Sequence, residues 1–124
     1  MAHAAAIAAG LTVIIAALIA SAPASAEYGA IAYDQMTGKF GASFDQPTPA
    51  QANEQALREC ASPECRVHPV EPAGCGALAI SDKDKAWGGA DRDALDVAKR
   101  DAVLRCQAHT KIGNCTIRVS GCNK

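Results

Sequence analysis

The sequence predicts an α+β fold made by tandem duplication of a strand-strand-helix-strand unit, with antiparallel sheet pairing, two helices and disulfide staples. Three observations carry this. The phrase YGAIAY at residues 28–33 returns as CGALAI at 75–80, the apolar residues change from a strand period to a helix period at matching places in both halves, and six cysteines lie beyond residue 26.

The chain opens on an apolar segment. Residues 1–26 contain no Lys, Arg, Asp or Glu, and Ala4 to Ala20 are Ala, Ile, Leu and Val interrupted only by Gly10 and Thr12. Pro23 and the Ala24-Ser25-Ala26 triplet before Glu27 form an A-x-A cleavage site, so 1–26 is expected to be a signal peptide. Its n-region has only the amino terminus and His3 for positive charge, which keeps an uncleaved anchor as the alternative. With no cysteine at the cleavage site, a lipoprotein anchor is excluded. After cleavage no stable membrane anchor is expected.

Residues 27–124 are expected to form a single domain of two repeats, about 28–72 and 75–122. A chain of this size buries only about 60–65% of its unfolded surface, so covalent staples offset a thin, Ala-rich core. Setting Gly29 on Gly76 aligns Ala30-Ile31-Ala32 with Ala77-Leu78-Ala79 and Phe40-Gly41 with Trp87-Gly88, an offset of 47. One residue is then lost, and an offset of 46 aligns Ala52, Ala56, Leu57 and Cys60 with Ala98, Ala102, Val103 and Cys106. After an insertion the offset is 50, and Cys65-Arg66-Val67 falls on Cys115-Thr116-Ile117.

In each unit the first strand (Ile31 and Tyr33; Leu78 and Ile80) alternates large with small residues. A polar turn, Asp34 to Gly38 or Ser81 to Lys85, leads to a second strand at Phe40 or Trp87. Thr48-Pro49-Ala50-Gln51 is a capping box with Pro at the first helical position. Asp93 is expected to cap the second helix. The first helix presents Ala52, Ala56, Leu57 and Cys60 on one face, and the second presents Leu95, Ala98, Ala102, Val103 and Cys106. Short third strands follow, carrying Cys65 and Val67 in one copy and Cys115, Ile117 and Val119 in the other. Both helices are expected to share one Ala-rich core.

Six cysteines permit fifteen pairings, and the repeat selects among them. Cys60 and Cys65 occupy the places of Cys106 and Cys115, so each pair ties a helix end to the next strand. Cys75 and Cys122 stand where the first unit has Tyr28 and Pro72, and are expected to join across neighbouring strands.

The pattern YGAIAY, FGASF, A-x-x-x-A-L-x-x-C, CGALAI, AWG and A-x-x-x-A-V-x-x-C resembles the domain of unknown function 4189 family of small exported bacterial proteins. The resemblance rests on Gly29, Gly76, Trp87, Gly88 and the six cysteines and spans essentially all of the chain after residue 26. It implies export, a compact α/β fold and intact disulfides, and it implies no reaction. Asp93 at the second helix start and the long Gln107–Asn114 segment depart from the pattern.

Charge and spacing weigh against several chemistries. Residues 27–73 carry seven acids and three bases, residues 74–124 six acids and nine bases, so the halves attract while the whole is near neutral. No basic run exceeds Lys99-Arg100, which removes the footprint of a nucleic-acid binder. Cys60-x4-Cys65 and Cys106-x8-Cys115 lack zinc-knuckle spacing, and no Cys-x-x-Cys pair stands at a helix start for redox work. Asp82, Asp84 and Asp93 mimic three calcium-loop positions, but Trp87 stands where Gly is required. No metal or cofactor is expected. Asp91 and Asp93 are read as a helix cap rather than an acid/base pair, His68 and His109 as surface residues, Trp87 as core, and Gly41, Gly88 and Gly89 as permitting close approach.

The function expected is therefore non-catalytic: a small secreted binding protein, extracellular or of the cell envelope. Its partner is a protein or envelope component, and it acts as a monomer. The alternatives are an envelope hydrolase with a site assembled in three dimensions from His68, Asp34 and Arg118, and an inhibitor or immunity partner of an exported enzyme.

Overall fold

Strand and helix periods alternate in the order β1 (Tyr28–Tyr33), β2 (Phe40–Gln46), α1 (Pro49–Cys60), β3 (Arg66–Val70), then β4 (Cys75–Ser81), β5 (Trp87–Arg92), α2 (Leu95–His109) and β6 (Cys115–Cys122). The structure is a computed structural model that describes residues 9–10 and 26–124, and the signal peptide expected over 1–26 falls outside the described residues but for those three. Each unit folds its own antiparallel sheet with the first strand in the centre, β2-β1-β3 and β5-β4-β6. Register is also repeated: Tyr33 stands opposite Phe40 as Ile80 stands opposite Trp87.

The alternation along the central strands decides the layering. In β1, Ala30 and Ala32 point to α1 and meet Ala52, Ala56 and Cys60, while Ile31 and Tyr33 point away from it. In β4, Ala77 and Ala79 meet Ala98, Ala102 and Cys106, while Leu78 and Ile80 point away. The two outward rows pack on each other, with Val70 at their centre and Phe40, Phe44, Trp87 and Val119 around them. The order of layers is helix, sheet, sheet, helix, with β2 over β6 and β3 over β5. The two helices therefore do not share one Ala-rich core, as the sequence led us to expect, but have one each. Small residues serve the two helix-sheet seams, where side chains as short as alanine let a helix lie close, and bulky residues fill the seam between sheets.

Gly41 and Gly88 set the helix-sheet distance. A Cβ on Gly41 would stand 2.5 Å from both the Ala56 carbonyl oxygen and the Cys60 nitrogen, and one on Gly88 would strike the matching Ala102 and Cys106 backbone.

Local differences between the units have physical causes. Thr48 caps α1, its hydroxyl accepting from the Gln51 N–H, with Pro at the helix start. Asp93 does not cap α2. The N-cap is Ala94, with no side-chain acceptor, and Asp96 places its charge in the first turn instead. Leu57, expected on the buried face of α1, is exposed, because the face closing on β1 and β2 is filled by Ala52, Ala56 and Cys60. Ile117 and Val119 share no face. The β4–β6 register skips a residue between Ala79–Ile117 and Leu78–Val119, so Arg118 bulges, Ile117 meets the α2 seam and Val119 the inter-sheet seam. The residue absent from the second copy is also a bulge: Asp45, at φ 57°, inserts where the β1–β2 register shifts.

Covalent bonds join Cys60 to Cys65, Cys75 to Cys122 and Cys106 to Cys115, and no cysteine is free. Between the units the polar contacts are hydrogen bonds. Buried Asn123 donates from Nδ2 to the Val70 and Glu71 carbonyls at 3.0 and 2.9 Å and accepts from the Asp45 N–H at 3.0 Å. The ion pairs found among the described residues, Arg92 and Arg100 with Asp101, lie within the second unit.

Candidate functional site

A groove of about 830 Å³ lies at the β3/β5 edge of the sandwich. Its floor reaches the inter-sheet seam at Ile31, Val70 and Leu78, and β5 forms one wall. A smaller hollow of about 530 Å³ continues it past Tyr33 and Arg66, the two sharing Gln35, His68 and Trp87. Trp87 is half-buried: its ring packs on Tyr33 at 5.7 Å and on His68 at 4.8 Å, so the residue read as core from sequence is at once core and groove wall.

The opposite edge is related by the repeat. There Arg118 stands 5.6 Å over the Phe40 ring, as His68 stands on Trp87. His68 and Arg118 are thus counterparts on opposite edges, β3 over β5 and β6 over β2. Of the trio His68, Asp34 and Arg118, the first two line the smaller hollow together, and Arg118, over Phe40 on the other edge, does not join them.

Asp34 is a turn residue. It is buried, its Oδ1 accepts from the Met36 and Thr37 N–H groups at 2.8 and 3.3 Å, and its Oδ2 accepts from the Ser62 hydroxyl. Ser62, followed by Thr37 and the turn N–H groups, stabilises the carboxylate against its own desolvation and holds the pKa at about 2. Its repeat counterpart is Ser81, whose hydroxyl lies 3.1 Å from that of Thr110. There the carboxylate comes from Asp84, which accepts from Thr110 at 2.8 Å and from the Lys111 N–H at 3.2 Å, and the Ser81 and Thr110 hydroxyls hold its pKa at about 2. Asp82 accepts from the Asn114 N–H at 2.9 Å. The turn that mimics a calcium loop is spent on pinning the long Gln107–Asn114 segment.

The remaining groove charges are similarly occupied. Asp91 Oδ2 accepts from the Glu71 N–H at 3.4 Å, and Arg105 Nη1 donates to the Gly89 carbonyl at 2.8 Å. His68, expected at the surface, is exposed there, yet burial of its ring against Trp87 pulls its pKa below the ordinary imidazole value. His109, the last residue of α2, is exposed at the groove rim. Tyr33 keeps its proton, since burial and then Asp34 push its pKa up, and it donates to the Lys85 carbonyl at 2.8 Å. Among the described residues no three His, Cys, Asp or Glu side chains gather as metal ligands, and no helix is long and apolar enough to cross a membrane.

Residues 28–122 match the family described as Domain of unknown function (DUF4189). The chain belongs to this family. DUF4189 relatives include Protein Mb1300c of Mycobacterium bovis and Protein Rv1269c of Mycobacterium tuberculosis, each 38% identical over 96 residues, 77% of this chain and 69% of theirs. The solved NMR structure of Rv1813c from Mycobacterium tuberculosis is similar at a TM-score of 0.61 and 28% identity, covering 99% of both chains. The DUF4189 match ends on Cys122 and begins on Tyr28, so it contains both sheets, both helices and all three bridges. The sequence signal of the groove is the pairing of Phe40, Ala42 and Phe44 with Trp87, Gly89 and Asp91 under the 47-residue offset.

Proposed function

We propose that the protein is a small exported recognition module that binds a protein or envelope component through the β3/β5 groove and performs no chemistry of its own. In this reading residues 27–124 act as one unit, monomeric and freed from the segment before them. The observation that supports it most is the occupation of the groove's charged groups. Asp84, Asp91 and Arg105 each serve a neighbouring backbone or hydroxyl group, and His68 stacks on Trp87 without a carboxylate partner. General acid/base work needs a titratable group within hydrogen-bond reach of its partner and a pKa near neutrality. An aspartate held at about 2 is neither a proton donor nor an effective base at pH 7. Three bridges in a small chain give the preorganised surface that lowers the entropy cost of binding.

One observation favours the hydrolase as a second reading: His68, Asp84, Asp91, Arg105 and His109 all line one groove. The two readings separate in one experiment. Wild type and His68→Glu are immobilised under oxidising conditions, exposed to culture fluid and envelope extracts, and incubated in parallel with peptidoglycan and peptide substrates. Recognition predicts a retained component that the substitution releases, with no product formed. Turnover that stops on substituting a single groove residue would establish the hydrolase instead. A single stoichiometric enzyme partner whose activity falls on binding would identify an inhibitor.

A further inference from the structure

The repeat supplies its own comparison for the groove. The inter-sheet row of β2 is Phe40, Ala42 and Phe44, and the same row of β5 is Trp87, Gly89 and Asp91. On the β2/β6 edge the row is closed: Phe44 packs over Gly121, and Phe40 is covered by Arg118. On the β3/β5 edge the middle residue has no side chain and the last is a carboxylate tied to the Glu71 N–H. The nearest neighbours of a Cβ built on Gly89 are the Trp87 ring, at 3.4 Å, and the Ala77 carbonyl oxygen, at 3.8 Å, which is ordinary contact. Gly89 has no positive φ to demand a glycine. Its absent side chain therefore leaves an opening, bounded by Trp87, His68 and Asp91, over the apolar seam of Ile31 and Leu78.

We infer that this opening is a subsite for an aromatic side chain presented by a partner protein, the intermolecular equivalent of the Phe44 ring that closes the other edge. The inference rests on the recognition reading and names the chemistry that the groove takes. A ring entering over Gly89 meets the edge of the Trp87 indole and the His68 imidazole, the tilted arrangement already adopted by those two. It is held by that contact rather than by strand addition along β5, because guanidinium groups of Arg105 and Arg92 occupy the outward Gly89 and Asp91 carbonyls.

Trp87 is the sole tryptophan, so its emission reports on the subsite without interference. The probe is N-acetyl-phenylalaninamide, with N-acetyl-leucinamide as the non-aromatic control, followed by Trp87 fluorescence and by amide shifts of Gly88 and Gly89. The expected result is a saturable response to the aromatic probe, with the leucine probe weaker by about 2- to 10-fold, the range that aromatic contacts supply. Gly89→Val fills the opening from within and abolishes the response while the fold is kept, as seen in the unchanged amide spectrum of the β1/α1 seam. Asp91→Phe, which restores the aromatic of the other edge, abolishes it as well and raises the unfolding temperature. No saturable response in wild type, or an equal one in Gly89→Val, overturns the inference. Capture of a macromolecule that His68→Glu releases, with no response to the aromatic probe, keeps the recognition reading and removes only the aromatic subsite.

Discussion

The bridge from Cys75 to Cys122 carries the largest single contribution to stability among the three, and replacing both cysteines by alanine tests how the fold is held. It spans 47 residues, against 5 for Cys60–Cys65 and 9 for Cys106–Cys115. Closing such loops in the unfolded chain removes about 4 kcal/mol of conformational entropy for the long bridge, about 2 for the shortest and about 2.5 for the third. Packing leaves the gap in place. Each bridge has one buried cysteine, Cys60, Cys75 or Cys106, so truncation adds a small void worth about 1 kcal/mol to all three. The net expectation is that Cys75→Ala/Cys122→Ala loses about 2 kcal/mol more than Cys60→Ala/Cys65→Ala.

Guanidinium unfolding under non-reducing conditions measures both quantities needed. Besides the midpoint, the slope m should rise most for the long-bridge variant, since an unfolded chain freed of a 47-residue loop exposes more surface. If the short-bridge variant proves the less stable, or m is unchanged when the long bridge goes, the bridges act through native packing rather than through the unfolded chain, and the entropic reasoning fails.

Other outcomes follow from single contacts. Gly88→Ala drives a methyl into the α2 backbone and should cost about 1–3 kcal/mol in denaturant unfolding, whereas Gly89→Ala, whose methyl meets its neighbours at ordinary contact distance, should cost under 1 kcal/mol. Asn123→Ala leaves the Val70 and Glu71 carbonyls and the Asp45 N–H without their partner and should lose about 1–3 kcal/mol by the same measurement, although it touches neither helix. Asp34 and Asp84 have folded pKa values of about 2, below the unfolded value of about 3.9, so their stabilisation is full above pH 4 and is lost as pH falls through 2. The Asp34→Asn/Asp84→Asn variant should therefore show a flatter acid limb between pH 4 and 2 in thermal melts. His68, with its pKa lowered, should make the protein less stable as pH falls below 6.5, and His68→Gln should remove that slope.

Most of the architecture was legible because it was written twice. A single copy of YGAIAY gives an ambiguous apolar run, but the pairing of Tyr33 with Phe40 and of Ile80 with Trp87 at one offset makes the hairpin register visible in sequence. The same logic, followed strictly, would have corrected the second helix: an offset of 46 sets Ala94, not Asp93, on the capping Thr48. Propensity favoured the aspartate one position early, and the alignment was the better guide. Bulges were less legible. Arg118 reads as an ordinary strand residue, and only the pairing of Ala79 with Ile117 and Leu78 with Val119 shows that the chain slips there and turns Val119 to the opposite face. A period-two pattern cannot reveal such a slip, since it presupposes unbroken register. The layering escaped for a related reason. Alternation of alanine with Ile, Tyr or Leu is plain in the sequence, but which face meets a helix and which meets the other sheet depends on size, and Gly41 and Gly88 are what force the helices onto the small side.

Duplication also explains why this sandwich has one open edge instead of two or none. Two units with identical inward rows would close, or open, both edges alike. Here the edges diverged in opposite directions. The first copy gained or kept Phe44 and the Asp45 bulge, which receives the Asn123 side chain and the Lys124 N–H and seals β2 against the C-terminus. The second copy has Gly89 and Asp91 in the corresponding row and leaves the Trp87 indole at the mouth of the groove. Covalent strength is distributed the other way, because the copy with the open wall is the one enclosed by the additional Cys75–Cys122 bridge. A groove lined by β5 lacks the packing that Phe44 supplies to β2, and cross-linking the β4/β6 end keeps β5's central neighbour in place without filling the gap. On this logic, Asp91→Phe should lessen the dependence of stability on the long bridge. In a double-mutant cycle with Cys75→Ala/Cys122→Ala, the bridge should be worth less in the Asp91→Phe background than in wild type. Strictly additive losses would mean that bridge and groove are energetically independent, and that the extra staple does not compensate for the open edge.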